Sequence, residues 1–483
     1  MDYITKNFDY KNILYYFEQL TRIPHGSGNV GEISDYLKNF AISHDAKYVQ
    51  DDHKNVIVFL PATVGFEDKP TIMLQGHMDM VCEKNAGCKH DFLREPLDIY
   101  LDGKLLKAHG TTLGGDDGIA IAYMMAIIAD KKASHPALEL VMTTDEETGM
   151  FGAKALDFSL FHAKYLINLD SEEEGECYLG CAGGLRQNIE IDAERKSVTG
   201  NLVTISVTGL QGGHSGVEID KNRTNANKLL SRILFEMSED IDFNLVSFNG
   251  GKLDNAIPNN AAAEIVIGDF DEDKFKEVSE KLSLRYKKEL ELSEPGLKID
   301  FTVDKNKKAY NAHTKHSFDR LICFLIEAPN GIQKMSAATP GLVESSLNMG
   351  IVFTTEEKTV IRFSLRSSVK SYKEFMSKRL TLLANGIEAV STTEGDYPAW
   401  EYNPDSVLRE TYKNLFVKEY GYEPKLLVMH AGLECGLIFD NCKGLDIISI
   451  GPDMKDVHSP RESLDLESAV RVFEFLEKLI VSL

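Results

Sequence analysis

The sequence predicts an α/β fold in which helices cover a mixed or parallel sheet, with a second, α+β domain inserted into the chain. Short runs rich in branched residues recur along the chain, and stretches with helical spacing lie between them. A change of pattern near residue 186 indicates the insertion. The chain has 483 residues, 43% of them hydrophobic, which is enough for two or three domains with large buried cores.

The predicted elements follow from hydrophobic spacing and from the residues that interrupt it. Residues 12–21 place apolar side chains at helical intervals, and Pro24 with the glycines after it ends this helix. Residues 119–129 form the longest apolar run, which is shorter than the roughly 20 residues of a membrane span and predicts a buried helix. Strand-like runs begin at Val56, Thr71, Leu138, Tyr165 and Asp446.

The middle of the chain has a different pattern. Residues 186–383 alternate strand-like runs with amphipathic helices, without the acidic and imidazole clusters found on either side. We therefore expect a first domain in two parts, residues 1–185 and 384–483, around an inserted domain. A strand–helix–strand set near Val203 is echoed near Phe301, which indicates two related halves within the insertion.

The charge balance and the cysteines narrow the class of protein. There are 53 Lys and Arg residues against 75 Asp and Glu, so the formal charge is −22 at pH 7. This surplus repels phosphate backbones and anionic membrane surfaces, which argues against nucleic-acid and membrane partners. Seven cysteines, and a start without a cationic and apolar leader, favour free thiols in the cytoplasm. Cys177 and Cys181 have no second pair at zinc-site spacing and are interpreted as packed thiols.

Acidic and imidazole side chains follow several of the predicted strands. They are His77 with Asp79, then Asp145 to Glu147, then Asp170, and finally His458. The glycine-rich turn of residues 111–118 adds two carboxylates just before the buried helix. Because functional groups in open α/β sheets gather beyond the carboxyl ends of the strands, we expect these clusters to converge on one edge.

Imidazole and carboxylate groups in this arrangement are typical of a divalent metal pair of the zinc type. His77 and Asp79 are two apart on an extended segment, so one can bind metal while the other orients its ring. Glu146 and Glu147 are adjacent and point differently, so one can bind metal while the other faces the substrate water. Taken alone, His77 with Asp79 is more typical of a strand-end histidine paired with a neighbouring acid, and Glu146 with Glu147 is more typical of a solvated acidic turn. Their joint placement at strand ends favours the metal site.

Seven motifs resemble those of one family. They are GHMDMV (76–81), TTLGGDDG (111–118), DEETGMFGA (145–153), GLQGGHSG (209–216), NAIPNNA (255–261), HAGLECG (430–436) and GPDMKDVHSPRE (451–462). In this order they resemble the M20 family of dinuclear zinc peptidases, most closely its Xaa-His dipeptidase branch (peptidase D, aminoacyl-histidine dipeptidase). The resemblance covers nearly the full chain and implies a zinc-peptidase-like catalytic domain with an inserted α+β lid domain. The branch usually has Asn where this chain has Asp117, but relatives elsewhere use Asp-Asp, so no loss of function is expected.

The resemblance also implies a set of metal ligands. Asp116 would bridge two divalent ions, with zinc expected and cobalt or manganese as alternatives. His77 and Asp170 would complete one site, and Glu147 and His458 the other. The family further suggests a non-proline cis peptide bond after Asp116.

Catalytic and substrate-binding roles carry over in the same way. Glu146 matches the general base that acts on the metal-bridging hydroxide, and Asp79 matches the residue that orients its histidine ligand. The resemblance implies that His214, from the inserted domain, hydrogen-bonds the tetrahedral oxyanion. The alternative is that His214 is a plain turn histidine. The substrate-binding positions are Asn255 and Arg366, for the C-terminal carboxylate, and Gly432 and Glu434. A plain turn residue at Asn255 and a strand-surface cation at Arg366 remain open.

The resulting hypothesis is a cytoplasmic metallo-dipeptidase that cleaves unblocked dipeptides, including Xaa-His substrates. A tripeptidase, a carboxypeptidase or an N-acyl amino acid deacylase of the same family remains open, as does a non-catalytic metal-binding protein. Many family members dimerise through the lid. An inserted domain of this length could instead hold two copies of a simple lid, so a homodimer and a monomer both remain open.

Overall fold

The computed structural model describes residues 3–337, 339 and 341–483. The chain divides into two compact units. The first unit contains the chain through Cys181 together with Trp400–Val428 and Leu433–Leu483. The second unit contains Ala182–Ala399 and Met429–Gly432.

The first part of the first unit contains four helices and eight strands in its described residues. The helices are α1 (Ile13–Leu20), α2 (Gly31–Ser43), α3 (Gly115–Ala129) and α4 (Phe151–Ala155). The strands are β1 (Lys47–Gln50), β2 (Val56–Leu60), β3 (Ile72–His77), β4 (Ile99–Asp102), β5 (Leu105–Ala108), β6 (Leu138–Thr143), β7 (Tyr165–Asn168) and β8 (Glu176–Cys181).

The second unit follows directly. Its strands are β9 (Gly183–Asp192), β10 (Arg195–Thr208), β11 (Gly213–His214), β12 (Asn244–Gly250), β13 (Ala256–Ile257), β14 (Ala261–Ile267), β15 (Lys298–His313), β16 (Gly331–Met335), β17 (Val343–Thr354), β18 (Lys358–Ser367) and β19 (Val390–Tyr397). Its helices are α5 (Ala226–Asp240), α6 (Glu272–Glu289), α7 (Lys315–Glu327) and α8 (Lys370–Gly386).

The last part of the chain returns to the first unit. Its helices are α9 (Val407–Tyr420), α10 (Glu434–Asn441) and α11 (Leu466–Ser482). Its strands are β20 (Lys425–Met429), β21 (Asp446–Ser449), β22 (Met454–Lys455) and β23 (Ser463–Asp465). Several helices of the chain begin at a side chain that accepts hydrogen bonds from the first free N–H groups, namely Asn225, Asp271, Thr314, Ser406 and Asp465.

The first unit is built on an eight-stranded sheet with the order β1-β2-β6-β3-β7-β21-β8-β20. Neighbours among the four central strands, β6-β3-β7-β21, run parallel, and β2 and β8 pair antiparallel beside them. Helix α3 is buried along Gly115–Ile128 within the hydrophobic core of this unit. A smaller sheet, β22-β23-β5-β4, accompanies it. These elements confirm the predicted mixed sheet and the buried helix.

The second unit has its own sheet of nine strands, eight of which follow the order β15-β10-β14-β12-β17-β18-β9-β19, with β16 paired to β17. A separate hydrophobic core joins this sheet to its helices. The sets β10-α5-β12 and β15-α7-β17 lie where the sequence predicts two related halves, each with a further short strand, β11 or β16, inside it. The unit extends past residue 383, because β19 pairs antiparallel with β9 and so belongs to this sheet.

Among the described residues, none of the helices combines the length and the apolar character that crossing a membrane requires. Each of the seven cysteines is a free thiol, and Cys177 and Cys181 are buried.

Candidate active site

The parallel strands of the first unit bring the predicted clusters together at one edge. His77 is the last residue of β3, Asp170 lies two residues beyond β7, and residues 145–147 follow β6. These strands are immediate neighbours, with β3 between β6 and β7. Because their carboxyl ends point the same way, the side chains that follow them meet.

Asp116 is the centre of this group. Its Oδ1 lies 3.1 Å from His77 Nε2, and its Oδ2 lies 3.0 Å from His458 Nε2. Each histidine also approaches a second carboxylate. His77 Nε2 is 3.7 Å from Asp170 Oδ1, and His458 Nε2 is 2.8 Å from Glu147 Oε1. One carboxylate therefore faces two imidazole–carboxylate pairs, one with each oxygen.

The backbone around Asp116 explains how it reaches this position. Gly114 has φ +71°, a left-handed conformation that glycine adopts without strain, and it begins the turn into α3. The peptide bond between Asp116 and Asp117 is cis, as the family resemblance suggests. Asp116 and Asp117 depart from helical geometry within the first turn of α3.

These side chains form three overlapping groups that could hold metal ions. In each group the ligand atoms lie within 4.8 Å of one another. The groups are His77–Asp116–Asp170, Asp116–Glu147–His458 and His77–Glu146–Glu147. Nitrogen and carboxylate oxygen donors in sets of this kind suit a zinc-type ion, and the shared Asp116 suits a pair of ions.

The histidines are polarised by the carboxylates around them. Burial by itself would lower the pKa of His77, but hydrogen bonds to Asp116 and Asp79 and the charge of Asp170 raise its pKa well above the usual value. Hydrogen bonds with Asp116 and Glu147 raise the pKa of His458 to about 11. Without another cation, the imidazoles supply the positive charge that this site needs.

Several carboxyl groups here are costly to ionise together. Burial, followed by the nearby charges of Glu434, Glu147 and Asp116, raises the pKa of Glu146 to about 8 even though His77 opposes the shift. Burial also raises the pKa of Asp170 well above the usual value. A divalent ion would relieve both effects, because it replaces the protons that neutralise these groups.

Asp79 contacts His77 through its backbone as well as through its side chain. His77 Nδ1 lies 2.9 Å from the backbone oxygen of Asp79 and 3.5 Å from its carboxylate Oδ1. The carboxylate also accepts hydrogen bonds from Ser27 Oγ at 2.8 Å and from the Glu146 N–H at 3.1 Å. Asp79 therefore contacts His77 mainly through its carbonyl group, while its side chain holds the backbone of Glu146.

Asp117 and Glu434 lie buried behind these ligands. Asp117 Oδ2 accepts a hydrogen bond from the His77 N–H at 3.2 Å, and burial raises the pKa of Asp117 well above the usual value. Glu434, at the start of α10, accepts hydrogen bonds from Gln75 and from Thr143 Oγ1, the latter at 2.6 Å. Its carboxylate thus has partners beneath the ends of β3 and β6, which gives Glu434 contacts inside the unit besides its predicted substrate role.

The second unit contains the other predicted residues. His214 lies in β11 and pairs with Ala256 of β13, and the Ser215 N–H donates to the Asn255 carbonyl at 2.8 Å. This two-stranded sheet places Asn255 beside His214. His214 Nδ1 accepts hydrogen bonds from the N–H groups of Gly216 and Val217 at 3.3 and 3.2 Å.

Arg366 lies close to the same turn. A Cβ atom at Gly216 would be 3.0 Å from His214 Cε1, 3.2 Å from Arg366 Nε and 2.8 Å from the His430 carbonyl oxygen. Burial and then the charge of Arg366 lower the pKa of His214. These side chains therefore form a cluster, with a neutral imidazole beside a guanidinium.

Tyr397 explains why residue 432 is a glycine. A Cβ atom at Gly432 would lie 2.6 Å from Tyr397 Cε2, and one at Gly184 would also collide with the ring. The Tyr397 hydroxyl accepts a hydrogen bond from Arg366 Nη1 at 3.1 Å. The two glycines thus let the tyrosine reach the arginine.

His430 is a further member of this cluster. Its Nε2 lies 2.7 Å from Ser346 Oγ, and its buried Nδ1 has no hydrogen-bond partner in the part of the chain that the structure describes. Burial, together with the charges of Arg366 and His214, lowers the pKa of His430 to about 3. It therefore remains neutral near the Arg366 guanidinium.

Sequence reasoning assigned no role to Tyr397, His430 or Glu462. His430 and Glu462 lie inside motifs that carry the family resemblance, so their position in those motifs was an available signal. Tyr397 lies outside all of them, and only the sheet that brings β19 beside β9 places it near Gly184.

Residues 73–482 match the sequence profile of peptidase family M20/M25/M40. The chain is 38% identical over 471 residues to the cytosol non-specific dipeptidase of Escherichia coli (strain K12), and the aligned region covers 96% of each chain. Its structure is similar to that of aminoacylhistidine dipeptidase from Vibrio alginolyticus, with a TM-score of 0.89, 32% identity and 99% of each chain covered. Aminopeptidase PepT from Bacillus cereus shares the fold, with a TM-score of 0.56 and 16% identity over 98% of this chain and 99% of that one.

Proposed function

The chain belongs to peptidase family M20/M25/M40, and from this premise we propose that it hydrolyses the peptide bond of unblocked dipeptides, including Xaa-His dipeptides. The names of the Escherichia coli and Vibrio alginolyticus relatives, both dipeptidases, support this substrate class. The observation that carries the proposal is Asp116, whose two oxygens face separate histidines, His77 and His458. That arrangement suits two metal ions sharing one carboxylate.

We assign one ion to His77, Asp116 and Asp170. The other ion falls to Asp116, Glu147 and His458. Zinc is the expected metal for these donors, with cobalt and manganese as alternatives. When bound, two such ions would lower the pKa of a shared water and polarise the scissile carbonyl.

Glu146 is the proposed general base. It follows β6 directly beside the ligand Glu147, and its backbone is held by the Asp79 carboxylate. A carboxylate fixed at this place can take a proton from the attacking water and return it to the leaving amine. Asp79 would thus position both the base and, through its carbonyl group, the His77 ring.

The second unit would act as the lid and supply groups that recognise the substrate. His214 Nδ1 is occupied as an acceptor, so the neutral ring carries its proton on Nε2, where it can donate to an oxyanion. Arg366 and Asn255 would bind the substrate's terminal carboxylate, because a guanidinium pairs with carboxylates through two parallel hydrogen bonds. Gly432 would keep space for Tyr397, which steadies the arginine.

The location of the Escherichia coli relative, a cytosol enzyme by name, supports a cytoplasmic protein here. A monomer and a homodimer are both compatible with the proposal, and the mass in solution distinguishes them.

Substrate choice is the direct test. The metal-loaded protein is assayed on alanyl-histidine, on a tripeptide that extends it, and on N-acetyl-histidine, and its metal content is measured in parallel. We expect about two ions per chain and the highest kcat/KM on the free dipeptide. A dipeptide that is the poorest of the three substrates would favour a tripeptidase or a deacylase. A protein without bound metal and without turnover would contradict the proposal as a whole.

A further inference from the structure

Glu462 is neither a candidate metal ligand nor a candidate substrate-binding residue. It lies four residues after His458, at the end of the seven-residue connection between β22 and β23. Only 4% of the surface of Glu462 is exposed. A buried carboxylate needs hydrogen-bond donors, because burying an unpaired charge is costly.

Both oxygens of Glu462 are used by one turn of backbone. Oε2 accepts hydrogen bonds from the N–H groups of Leu113 and Gly114, at 2.7 and 3.2 Å. Oε1 accepts from those of Gly115 and Asp116, at 2.7 and 3.5 Å. Four consecutive N–H groups thus converge on one carboxylate.

The shape of this turn is specific for an anion. Gly114 is left-handed, and a run of N–H groups around such a residue forms a concave site for negative charge. The same N–H groups lie at the amino end of α3, where the helix dipole adds to the attraction. The approach is close, since a Cβ atom at Gly115 would lie 3.2 Å from Glu462 Oε1 and 3.1 Å from Met454 Sδ.

The carboxylate joins two loops that are far apart in sequence. One loop ends in Asp116. The other contains His458 and is anchored at its two ends by β22 and β23, which pair with each other, while β23 also pairs with β5. Within this second loop, the Glu462 N–H donates to the Ser459 carbonyl at 3.0 Å. Besides the contact of His458 with Asp116, Glu462 therefore ties the Asp116 loop to the His458 loop.

We propose that Glu462 is a positioning residue that holds Asp116 and His458 at the separation needed for the metal site they share with Glu147. The inference rests on the proposed function, because it concerns the ligands of that metal pair. The His77–Asp170 side of the pair shares Asp116 but depends less on Glu462, since its other two ligands end β3 and follow β7.

Glu462→Gln is the informative variant. A glutamine keeps the size of the side chain but turns one acceptor into an NH2 donor, which then faces backbone N–H groups. Glu139→Gln is the matched control in the same unit. Glu139 is 3% exposed and accepts hydrogen bonds from the N–H groups of His162 and Ala163 at 2.8 and 3.3 Å, near the amino end of β6.

Each metal-free protein is titrated with zinc in competition with a chromophoric chelator. The quantity measured is the affinity for each ion, and no activity assay is involved. Wild type and E139Q are expected to bind two ions with the same affinities. E462Q is expected to keep one ion and to lose about 10- to 100-fold in affinity for the second, the usual effect of removing a residue that orients a ligand. The visible spectrum of the cobalt-substituted protein should change in E462Q alone.

Unchanged binding of both ions by E462Q would overturn the inference and leave the proposed function intact. Fewer than two ions in wild type would instead contradict the proposed metal pair itself. If E462Q does not fold, Gly115→Ala crowds the same contact from the other side. G115A should then show the selective loss of the second ion, and normal binding of both ions by G115A would overturn the inference.

Discussion

The two units hold their functional groups in opposite electrostatic states. In the first, carboxylates crowd around His77 and His458 and raise the pKa of both imidazoles. In the second, Arg366 lies near His214 and His430, and the pKa of both imidazoles is lowered. The surroundings of the histidines therefore favour a bound cation in the first unit, whereas in the second unit the imidazoles stay neutral beside a cationic side chain.

The two clusters also differ in how they are held. In the first unit, the carboxylates of Asp79 and Glu462 accept hydrogen bonds from backbone N–H groups. Both clusters retain buried polar atoms with no partner among the described residues, Asp117 Oδ1 and Glu434 Oε1 in the first, and Arg366 Nε and His430 Nδ1 in the second. The free atoms of the first cluster are carboxylate oxygens, which suit a cation, whereas those of the second are nitrogens of a guanidinium and an imidazole.

The largest expected effect is on the first unit. Glu146→Ala should lower kcat by about 10²- to 10⁴-fold, because it removes the proton acceptor. The metal content should remain that of wild type, since Glu146 is not an assigned ligand. The control is Glu173→Ala, an exposed glutamate that pairs with Lys425. Wild-type turnover in E146A would remove Glu146 from the mechanism.

The next effect concerns the second unit. His214→Ala should lower kcat by about 10²- to 10³-fold, as expected for the loss of one oxyanion donor, with a smaller change in KM. Metal affinity should stay the same, which separates this unit's role from that of the first. His316→Ala, an exposed histidine of α7, serves as the control. A loss of metal by H214A, or no change in kcat, would contradict this division of roles between the two units.

A smaller effect is expected for the residue that steadies the arginine. Tyr397→Phe removes the hydroxyl that accepts from Arg366 Nη1 but keeps the ring between Gly184 and Gly432. We expect KM to rise about two- to tenfold at unchanged kcat, the effect of one hydrogen bond. Tyr310→Phe in β15 of the same unit is the control. A fall in kcat with constant KM would place Tyr397 in the chemical step instead.

The smallest effect is on pH-dependent stability. The pKa of His430 is about 3 in the folded protein and has its ordinary value, about 6.5, in the unfolded chain. Its contribution to the free energy of unfolding is therefore complete above pH 6.5 and is lost as the pH falls toward 3. The pKa of His458 is about 11, so its contribution is complete below pH 6.5 and is lost as the pH rises toward 11. His458 is half exposed, and solvent screening reduces its share.

Melting temperatures of the metal-free protein between pH 4 and pH 9 test this contrast. His430→Gln should flatten the acid side of the profile, and His458→Gln should flatten the alkaline side, each by a few degrees. The wild-type protein at pH 6.5 is the reference. If the two substitutions affected the opposite sides, the assigned directions of the pKa shifts would be wrong.

Local sequence was sufficient for the first unit's ligand-bearing strands. Runs such as those of β3, β6 and β7 are apolar and rich in branched side chains, and the acidic and imidazole groups follow where each run stops. Parallel strands put such ends side by side, so the neighbourhood of His77, Glu147 and Asp170 could be predicted. The buried helix α3 followed from its uninterrupted apolar run in the same way.

Contacts between distant residues could not be predicted from the sequence. The β19 strand is polar, so its sequence does not predict a strand, and its pairing with β9 sets the end of the second unit beyond residue 383. The contact of the His77 ring with the Asp79 carbonyl depends on the backbone path after β3, which the HxD spacing does not specify.

Which side chains stand at the ends of which strands follows from the amino-acid sequence, because hydrophobic periodicity and strand termination are local properties. How those side chains are held depends on contacts between distant parts of the chain. Glu462 and Gly115 are 347 positions apart, and their hydrogen bond exists because two loops meet over the first turn of α3. Such a contact depends on the path of the whole chain, and no local pattern encodes it.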